Sequence, residues 1–213
     1  MRLLCIQTYP GANDAVMRHY PYYERAGADK ILGVTTIGGG CYWPTANVVE
    51  IGPNRYVSGS HLCNRLLDTI AAALERGASE IIAAEYDTLF FKPLPLLPPG
   101  LTMNRKGGGS DGFKGSAFYH GPWCMEAHTG AKVVEFGREM IKRGDIERGF
   151  PDRFIGLLAE QAGITVNESV FTSYTQNTLD RPEFLEQARQ AVKDGATAVH
   201  GVKTQAQLEA IIT

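Results

Sequence analysis

The sequence has little cysteine and no arrangement of it that would build a disulfide or zinc framework. Its four cysteines, Cys5, Cys41, Cys63 and Cys124, are scattered without a C-x-x-C pair. This distribution is typical of reduced, mostly buried thiols. We therefore expect neither a disulfide-stabilised secreted domain nor a structural zinc site.

The sequence also lacks long apolar runs and a strong excess of charge. Four apolar residues stand in a row from Leu3 to Ile6, too few for a secretory signal, and no run approaches the roughly 20 that a membrane helix needs. The formal net charge is -2, and no basic stripe with interleaved aromatic residues is present. We therefore predict a cytoplasmic protein that neither spans a membrane nor binds nucleic acid.

What is present is the composition of an ordinary globular protein. A hydrophobic share of 44% with 21% charged residues argues against both disorder and a fibrous repeat. The length of 213 residues is enough for one sizeable core. No internal repeat or linker is visible, so we predict that residues 1–213 form a single α/β domain.

Apolar runs alternate with helical patterns in the first half of the chain. The runs predict strands over residues 3–6, 31–35, 48–51 and 81–84. One helix is predicted over residues 14–26, where Pro21 must end or kink it, and a second over residues 61–76, which carries a stripe of apolar residues at helical spacing. Strands separated by helices imply right-handed crossovers and a largely parallel sheet.

The second half is less regular. Proline- and glycine-rich strings at residues 94–100 and 105–112 exclude a helix there. We predict a strand at residues 116–119 and another at residues 197–199. Helices are predicted near residues 131–142, from Pro151, from Pro182 and over residues 205–212.

The string Glu85-Tyr86-Asp87 follows the strand predicted at residues 81–84. Ligands of open α/β sheets bind at the carboxyl ends of strands. Residues two apart on an extended chain point to the same side, so both carboxylates can face one cation while Tyr86 faces away. Oxygen donors of this kind suit Mg²⁺ or Mn²⁺. An isolated E-x-D string is also compatible with a solvated turn, and the context has to decide between the two.

The context resembles the GT-A family of nucleotide-sugar glycosyltransferases, whose hallmark is an Asp-X-Asp motif that ends a central strand. The resembling strings are AAEYDTLFFKPLP, the preceding helix HLCNRLLDTIAAALERG and the late string AVHGVKT. The resemblance implies a GT-A-like, Rossmann-like domain with a mostly parallel sheet flanked by helices. It also implies a nucleotide-binding half at about residues 1–95 and an acceptor-side half at about residues 96–213. The sequence departs from the pattern at Glu85, where the family has aspartate.

The same resemblance implies a set of metal and phosphate ligands. Asp87 and Glu85 would hold Mn²⁺ or Mg²⁺, with His200 as a further ligand, and Lys203 would contact the diphosphate. Asp87 is the better match to a direct metal ligand, because the family has aspartate where this chain has Glu85. For His200 taken alone, a buried histidine hydrogen-bonded to the backbone is the alternative.

Polar residues elsewhere in the first half correspond to the nucleotide contacts of the family. Gln7, Thr8 and Tyr9 follow the first strand, where similar proteins contact the base and ribose. Asn64, with Arg65 beside it, would face the donor from the helix at residues 61–76, although a polar helix flank explains them equally well. The donor would be a UDP-, GDP- or CDP-sugar.

A catalytic base is needed if the enzyme inverts the configuration of the sugar. Asp152 is the first candidate, because inverting members that resemble this chain carry their base carboxylate at this region. Asp111 and Glu126 are rival candidates. Asp152 also has a structural alternative, since an aspartate in the first turn of a helix is favoured by the helix dipole alone.

The string SAFYHGPWCMEAH has two interpretations. His120, Cys124 and His128 are spaced by four and would share one helix face as a metal cluster, but Gly121-Pro122 breaks such a helix. We therefore favour an acceptor-side loop in which Trp123 and His120 contact the acceptor. A core position for Trp123 is the alternative.

The sequence as a whole predicts a metal-dependent glycosyltransferase that moves a sugar from a nucleotide diphosphate to an unknown acceptor. A nucleotidyltransferase of related fold is one alternative, but it would normally show a glycine-rich, basic segment after the first strand, and QTYPGANDA lacks the basic part. A non-catalytic nucleotide- or sugar-binding domain is another. The absence of G-x-G-x-x-G after the first strand argues against a dinucleotide dehydrogenase. The oligomeric state stays open.

Overall fold

A seven-stranded sheet forms the centre of the protein. The computed structural model describes residues 1–38, 41–53, 60–106, 118–145, 151–168, 172–173 and 179–213. The strands described there are β1 (Arg2–Gln7), β2 (Lys30–Ile37), β3 (Val48–Pro53), β4 (Glu80–Glu85), β5 (Thr88–Phe90), β6 (Leu101–Lys106), β7 (Phe118–Glu126), β8 (Val166–Glu168), β9 (Thr172–Ser173) and β10 (Ala198–His200). The central sheet has the order β3-β2-β1-β4-β7-β6-β8.

Most strand pairs of the central sheet are parallel. β1 runs parallel to both β2 and β4, β2 runs parallel to β3, and β6 runs parallel to β8. β7 alone among the described strands of this sheet runs antiparallel to its neighbours, β4 and β6. The predicted α/β class with a mostly parallel sheet is therefore confirmed.

Six helices accompany the sheet in the described part of the chain. They are α1 (Asn13–Tyr23), α2 (Ser60–Glu75), α3 (Ala127–Arg143), α4 (Pro151–Gln161), α5 (Pro182–Lys193) and α6 (Gln205–Ile212). Pro21 lies inside α1, and the chain continues through a short 3-10 turn to Gly27, which adopts a left-handed conformation with φ 71. None of the helices described is long and apolar enough to cross a membrane.

The strands are apolar on both faces because each face of the sheet is covered by helices. Leu3 and Cys5 of β1 belong to a core that includes buried side chains of α2, α3 and α4. Leu4 and Ile6 point the other way, into a core shared with α1. The same alternation places Gln7 on the α2 face, next to its register partner Glu85 of β4.

A second, three-stranded sheet joins the C-terminal part of the chain to the end of β4. β10 pairs antiparallel with β5 and parallel with β9. A third apolar core lies under this sheet and includes Leu89, Val199 and Leu208. The register sets His200 opposite Thr88, one residue after Asp87.

The predicted acceptor-side loop around Trp123 is wrong. β7 extends through Glu126, whereas we predicted that the strand would end at residue 119, and α3 begins at Ala127. Pro122 is tolerated in β7 because the register with β6 shifts at this point, between the pairs Thr102–Cys124 and Asn104–His120. The glycine and proline therefore mark an irregularity inside a strand.

Candidate metal centre

Three metal-ligating side chains converge at the carboxyl end of β4. Glu85 ends β4, Asp87 lies in the turn that follows, and His200 ends β10. One ligand atom from each of the three lies within 4.8 Å of the others. We call these three side chains the candidate metal centre. The sequence predicted all three, and the pairing of β5 with β10 explains how a residue near the C-terminus reaches the β4 turn.

His200 lies between the two carboxylates. Its Nε2 is 3.3 Å from Glu85 Oε2, and its Nδ1 is 3.4 Å from Asp87 Oδ1. The Thr88 hydroxyl lies 3.0 Å from the same Nδ1. If Nδ1 donates its proton to that hydroxyl, the lone pair of Nε2 faces Glu85 and can bind a cation.

The two carboxylates differ in exposure. The Asp87 side chain is 3% exposed and the Glu85 side chain is 43% exposed, while the His200 side chain is 8% exposed. A carboxylate as buried as Asp87 needs a positive partner. The Lys203 ammonium meets this need in part, because its Nζ lies 3.6 Å from Asp87 Oδ2.

The electrostatics of the centre follow from these contacts. Burial acts to lower the pKa of His200, but the carboxylates of Asp87 and Glu85 outweigh it, and the pKa is raised. The pKa of Glu85 is raised as well, by burial and by the neighbouring Asp87 carboxylate, with His200 opposing. Two carboxylates in one place thus favour a positive charge between them, whether a proton on His200 or a cation.

A short C-terminal arm, residues 200–204, is attached to the Asp87 turn by its backbone. The N–H groups of Gly201 and Val202 each donate to the Asp87 carbonyl oxygen at 3.0 Å. Gly201 has a φ of 95, which a residue with a Cβ rarely adopts. Gln207 Oε1 accepts from the Lys203 N–H at 2.7 Å and so fixes the backbone that carries the ammonium.

The predicted nucleotide contacts lie beside the candidate metal centre. Gln7 and Thr8 are buried where β1 ends, and Arg65 of α2 donates to the Thr8 carbonyl oxygen. The Gln7 amide nitrogen and the Thr8 hydroxyl are buried and find no hydrogen-bond partner among the residues the structure describes. Asn64 is half-buried on α2 beside Arg65.

Tyr9 and Tyr86 form an aromatic pair on the other side of the turn. Their ring centroids are 5.2 Å apart in an edge-to-face arrangement. Lys203 Nζ lies 5.6 Å from the centre of the Tyr86 ring. The Tyr86 ring therefore lies against Tyr9 and near the lysine that also reaches Asp87.

The first candidate for the catalytic base, Asp152, lies on α4. It stands in the first turn of α4, and its carboxylate contributes to the raised pKa of His200. The rival base Asp111 lies outside the described residues. Glu126 is a wrong candidate, because it pairs with Glu80 at the opposite end of β4 from Glu85.

Trp123 is buried, as the alternative interpretation of its string predicts. It is 1% exposed and belongs to the apolar core that includes side chains of α2, α3 and α4. His120 lies in β7, and its side chain is outside the described part of the structure. Cys124 is buried in β7 and His128 is exposed on α3, so these two residues do not form part of a metal cluster.

A cleft lies at the opposite end of the parallel strands. It has a volume of about 370 Å³, near the N-terminal ends of β1 and β2, and is lined by residues that include Lys30, Asn47 and Arg76. Its described lining holds no carboxylate or histidine. The carboxyl end of β4, where polar groups with raised pKa values converge, is the candidate functional site.

The chain matches no protein-family model and no curated protein. The function has to be inferred from the side chains. Two carboxylates and one imidazole suit a divalent cation such as Mn²⁺, which accepts both oxygen and nitrogen ligands. The Lys203 ammonium and the side chains of Gln7 and Thr8 supply hydrogen-bond donors that suit an anion next to that cation.

Proposed function

We propose that this chain is a metal-dependent glycosyltransferase that uses a nucleotide-diphosphate sugar as donor. The observation that carries the proposal is the convergence of Glu85, Asp87 and His200 within 4.8 Å at the carboxyl end of a parallel strand. A lysine lies directly beside them, at 3.6 Å from Asp87. The resemblance of the two strings that carry these residues to the GT-A family supports the same conclusion.

Each residue has a role that follows from its position. A bound Mn²⁺ or Mg²⁺ would supply charge stabilisation to the departing nucleotide diphosphate. Asp87, buried and fixed by the C-terminal arm, is the main ligand, and Glu85 and His200 complete the set. Lys203 provides a compact positive charge for a phosphate oxygen.

The acceptor side of the reaction depends on Asp152. In an inverting reaction its carboxylate would take the proton of the acceptor hydroxyl as that oxygen attacks the sugar. The Asp152 carboxylate contributes, after Asp87 and Glu85, to the raised pKa of His200, which supports this proposal. In a retaining reaction this role would not be required.

The first test is binding of UDP, GDP and CDP by isothermal titration calorimetry, with and without Mn²⁺. We expect one nucleotide to bind in the presence of Mn²⁺ and binding to weaken by roughly 100-fold in Asp87→Asn, because a metal ligand is lost. Glu135→Gln on the exposed face of α3 is the matched control and should bind as the wild type does. Equal binding by Asp87→Asn and the wild type would contradict the metal assignment.

A second test separates an enzyme from a binding domain and from a nucleotidyltransferase. The wild-type protein is incubated with Mn²⁺ and UDP-, GDP- or CDP-sugars, and free nucleoside diphosphate is measured. Slow release of the diphosphate, lost in Asp87→Asn, is expected of a glycosyltransferase. Release of a nucleoside monophosphate instead would favour the nucleotidyltransferase.

A further inference from the structure

The carbonyl oxygen of Tyr86 accepts two hydrogen bonds from buried side chains of α1. His19 Nδ1 lies 3.0 Å from this oxygen, and the Tyr23 hydroxyl lies 2.5 Å from it. Both side chains are 0% exposed. Because a carbonyl oxygen only accepts hydrogen bonds, His19 must carry a proton on Nδ1.

The position of this carbonyl gives the two contacts their importance. Tyr86 separates Glu85 from Asp87, so its peptide group sets how the two carboxylates are oriented relative to each other. The Tyr86 N–H donates to the Gln7 carbonyl oxygen at 3.0 Å, which ties the turn to β1. On the other side the Asp87 carbonyl holds the C-terminal arm. The His19 and Tyr23 side chains of α1 are thus a third attachment of the turn.

The environment of His19 is unfavourable for a residue that only fills the core. Burial lowers the pKa of His19, which keeps the ring neutral. Its Nε2 has no hydrogen-bond partner within the described parts of the chain. A buried nitrogen without a partner is destabilising, and an apolar ring would avoid that cost. Natural sequences accept such local costs mainly at functional sites.

We propose that His19 is a positioning residue which, with Tyr23, holds the Glu85-Tyr86-Asp87 turn in the geometry that binds the cation. The inference rests on the proposed function of the candidate metal centre. His19 acts through the Tyr86 carbonyl and supplies the outer hydrogen bond that orients ligands in metal sites. Arg18, the preceding residue of α1, donates to the Lys203 carbonyl oxygen at 3.3 Å, so α1 also contacts the C-terminal arm.

The test compares two substitutions that differ in one donor. His19→Asn places an amide nitrogen near the position of Nδ1 and keeps the hydrogen bond, whereas His19→Phe keeps the ring and loses the donor. We expect His19→Phe to weaken Mn²⁺ binding by about tenfold to a hundredfold and His19→Asn to retain most of the affinity. Free Mn²⁺ is measured by electron paramagnetic resonance, well below the unfolding temperature of each variant.

A second measurement needs no metal. Amide hydrogen exchange at Gly201 and Val202 reports whether the Asp87 carbonyl is still in place, because both N–H groups donate to it. We expect exchange there to be faster by about tenfold in His19→Phe and close to wild type in His19→Asn. Tyr23→Phe removes a single hydroxyl and should act in the same direction, and Tyr22→Phe on the same helix is its matched control.

The two measurements distinguish the failure of this inference from the failure of the proposed function. A wild-type protein that binds no Mn²⁺ would refute the metal centre, while the exchange rates would still decide the positioning role. Unchanged exchange at Gly201 and Val202 in folded His19→Phe would overturn the positioning role, as would identical behaviour of His19→Phe and His19→Asn. If His19→Phe does not fold, Tyr23→Phe decides by the same criterion.

Discussion

At the scale of single residues, the two carboxylates of the Glu85-Tyr86-Asp87 turn have different environments. Asp87 is 2% exposed, and its side chain lies beside a lysine and a histidine. The Glu85 side chain is 43% exposed, and its Oε2 lies 3.3 Å from His200 Nε2. The longer glutamate side chain allows this, since its extra methylene carries the carboxylate away from the strand end. Asp87 is therefore the ligand whose loss should matter most.

The role of Asp152 gives a prediction at the same scale. Asp152→Asn keeps the size of the side chain but removes the proton acceptor, so donor binding should be unchanged. Hydrolysis of the nucleotide sugar should fall by at least about 100-fold, the usual effect of losing a general base. Calorimetry checks the binding, and release of nucleoside diphosphate checks the rate.

The control for Asp152 addresses its position at the start of α4. A first-turn aspartate stabilises a helix by roughly 0.3–1 kcal/mol through the helix dipole, and Asp152→Asn loses this contribution in any case. Urea unfolding measures that loss separately from the rate. Glu160→Gln, at the exposed end of the same helix, should leave both rate and binding unchanged. A folded Asp152→Asn variant with an undiminished rate would exclude the base role.

At the scale of elements, the accuracy of the prediction followed the strength of the local pattern. The strand predicted at residues 81–84 is β4 (Glu80–Glu85), and the helix predicted at residues 61–76 is α2 (Ser60–Glu75). Both have unbroken periodicity and clear ends. β5 and β6 were not predicted, because β5 has only three residues and the prolines between them suggested a loop.

The three side chains of the candidate metal centre could be predicted from the sequence, but the contacts that hold them could not. Asp87 and His200 stand in recognisable strings. The contribution of His19 was not predicted, because a single histidine in an amphipathic helix carries no pattern that points to a carbonyl in a distant turn. Trp123 was assigned wrongly for a related reason, since Gly-Pro predicts a loop and the register shift that accommodates it depends on a neighbouring strand.

The junction between β7 and α3 gives a prediction about pH. Glu126 accepts hydrogen bonds from the Gly100 N–H at 2.9 Å and from the Thr129 hydroxyl at 2.8 Å. Partial burial acts to raise the pKa of Glu126, but these hydrogen bonds outweigh it, and the pKa is lowered from 4.5. A carboxylate with a lowered folded-state pKa stabilises the fold above its unfolded pKa, and this stabilisation is lost as the pH falls through the folded-state value.

Glu126→Gln tests this sign. The free energy of unfolding should drop by about 1 kcal/mol near pH 7, at the low end for hydrogen bonds to a charged group because the site is partly solvated. The difference between variant and wild type should disappear at an acidic pH below the lowered pKa of Glu126, where the wild-type carboxyl is protonated. Urea unfolding at both pH values measures it. A difference that persists unchanged at low pH would mean that the charge of Glu126 is not the cause.

At the scale of the whole molecule, the site joins distant parts of the chain. β1, α2 and β4 come from the region predicted to bind nucleotide, residues 1–95, while β10 and the C-terminal arm come from residues 96–213. The division into two functional halves stays a prediction, but the candidate metal centre draws on both halves, because His200 belongs to the second. The order of β5 and β10 in the small sheet is what brings the two together.

This arrangement predicts how ligands change the stability of the protein. A nucleoside diphosphate with Mn²⁺ at 100 times its dissociation constant should add about 2.7 kcal/mol to the free energy of unfolding. For a domain of this size that corresponds to a rise in Tm of roughly 5–11 °C, measurable by scanning calorimetry. The rise in Tm should be small in Asp87→Asn. In the wild type it should be smaller with the nucleotide alone than with the nucleotide and Mn²⁺ together.

The location of the stabilisation is the sharper part of the prediction. In the proposed site Asp87 and the C-terminal arm hold the ligand from two sides, so Mn²⁺ and nucleotide should slow amide exchange at Thr88 and at Val202 together. The rate of amide exchange in α3 should fall only as far as the ligand makes global unfolding rarer. Protection at Thr88 without protection at Val202 would mean that the ligand is held by β4 alone. His200 and Lys203 would then have no part in binding it.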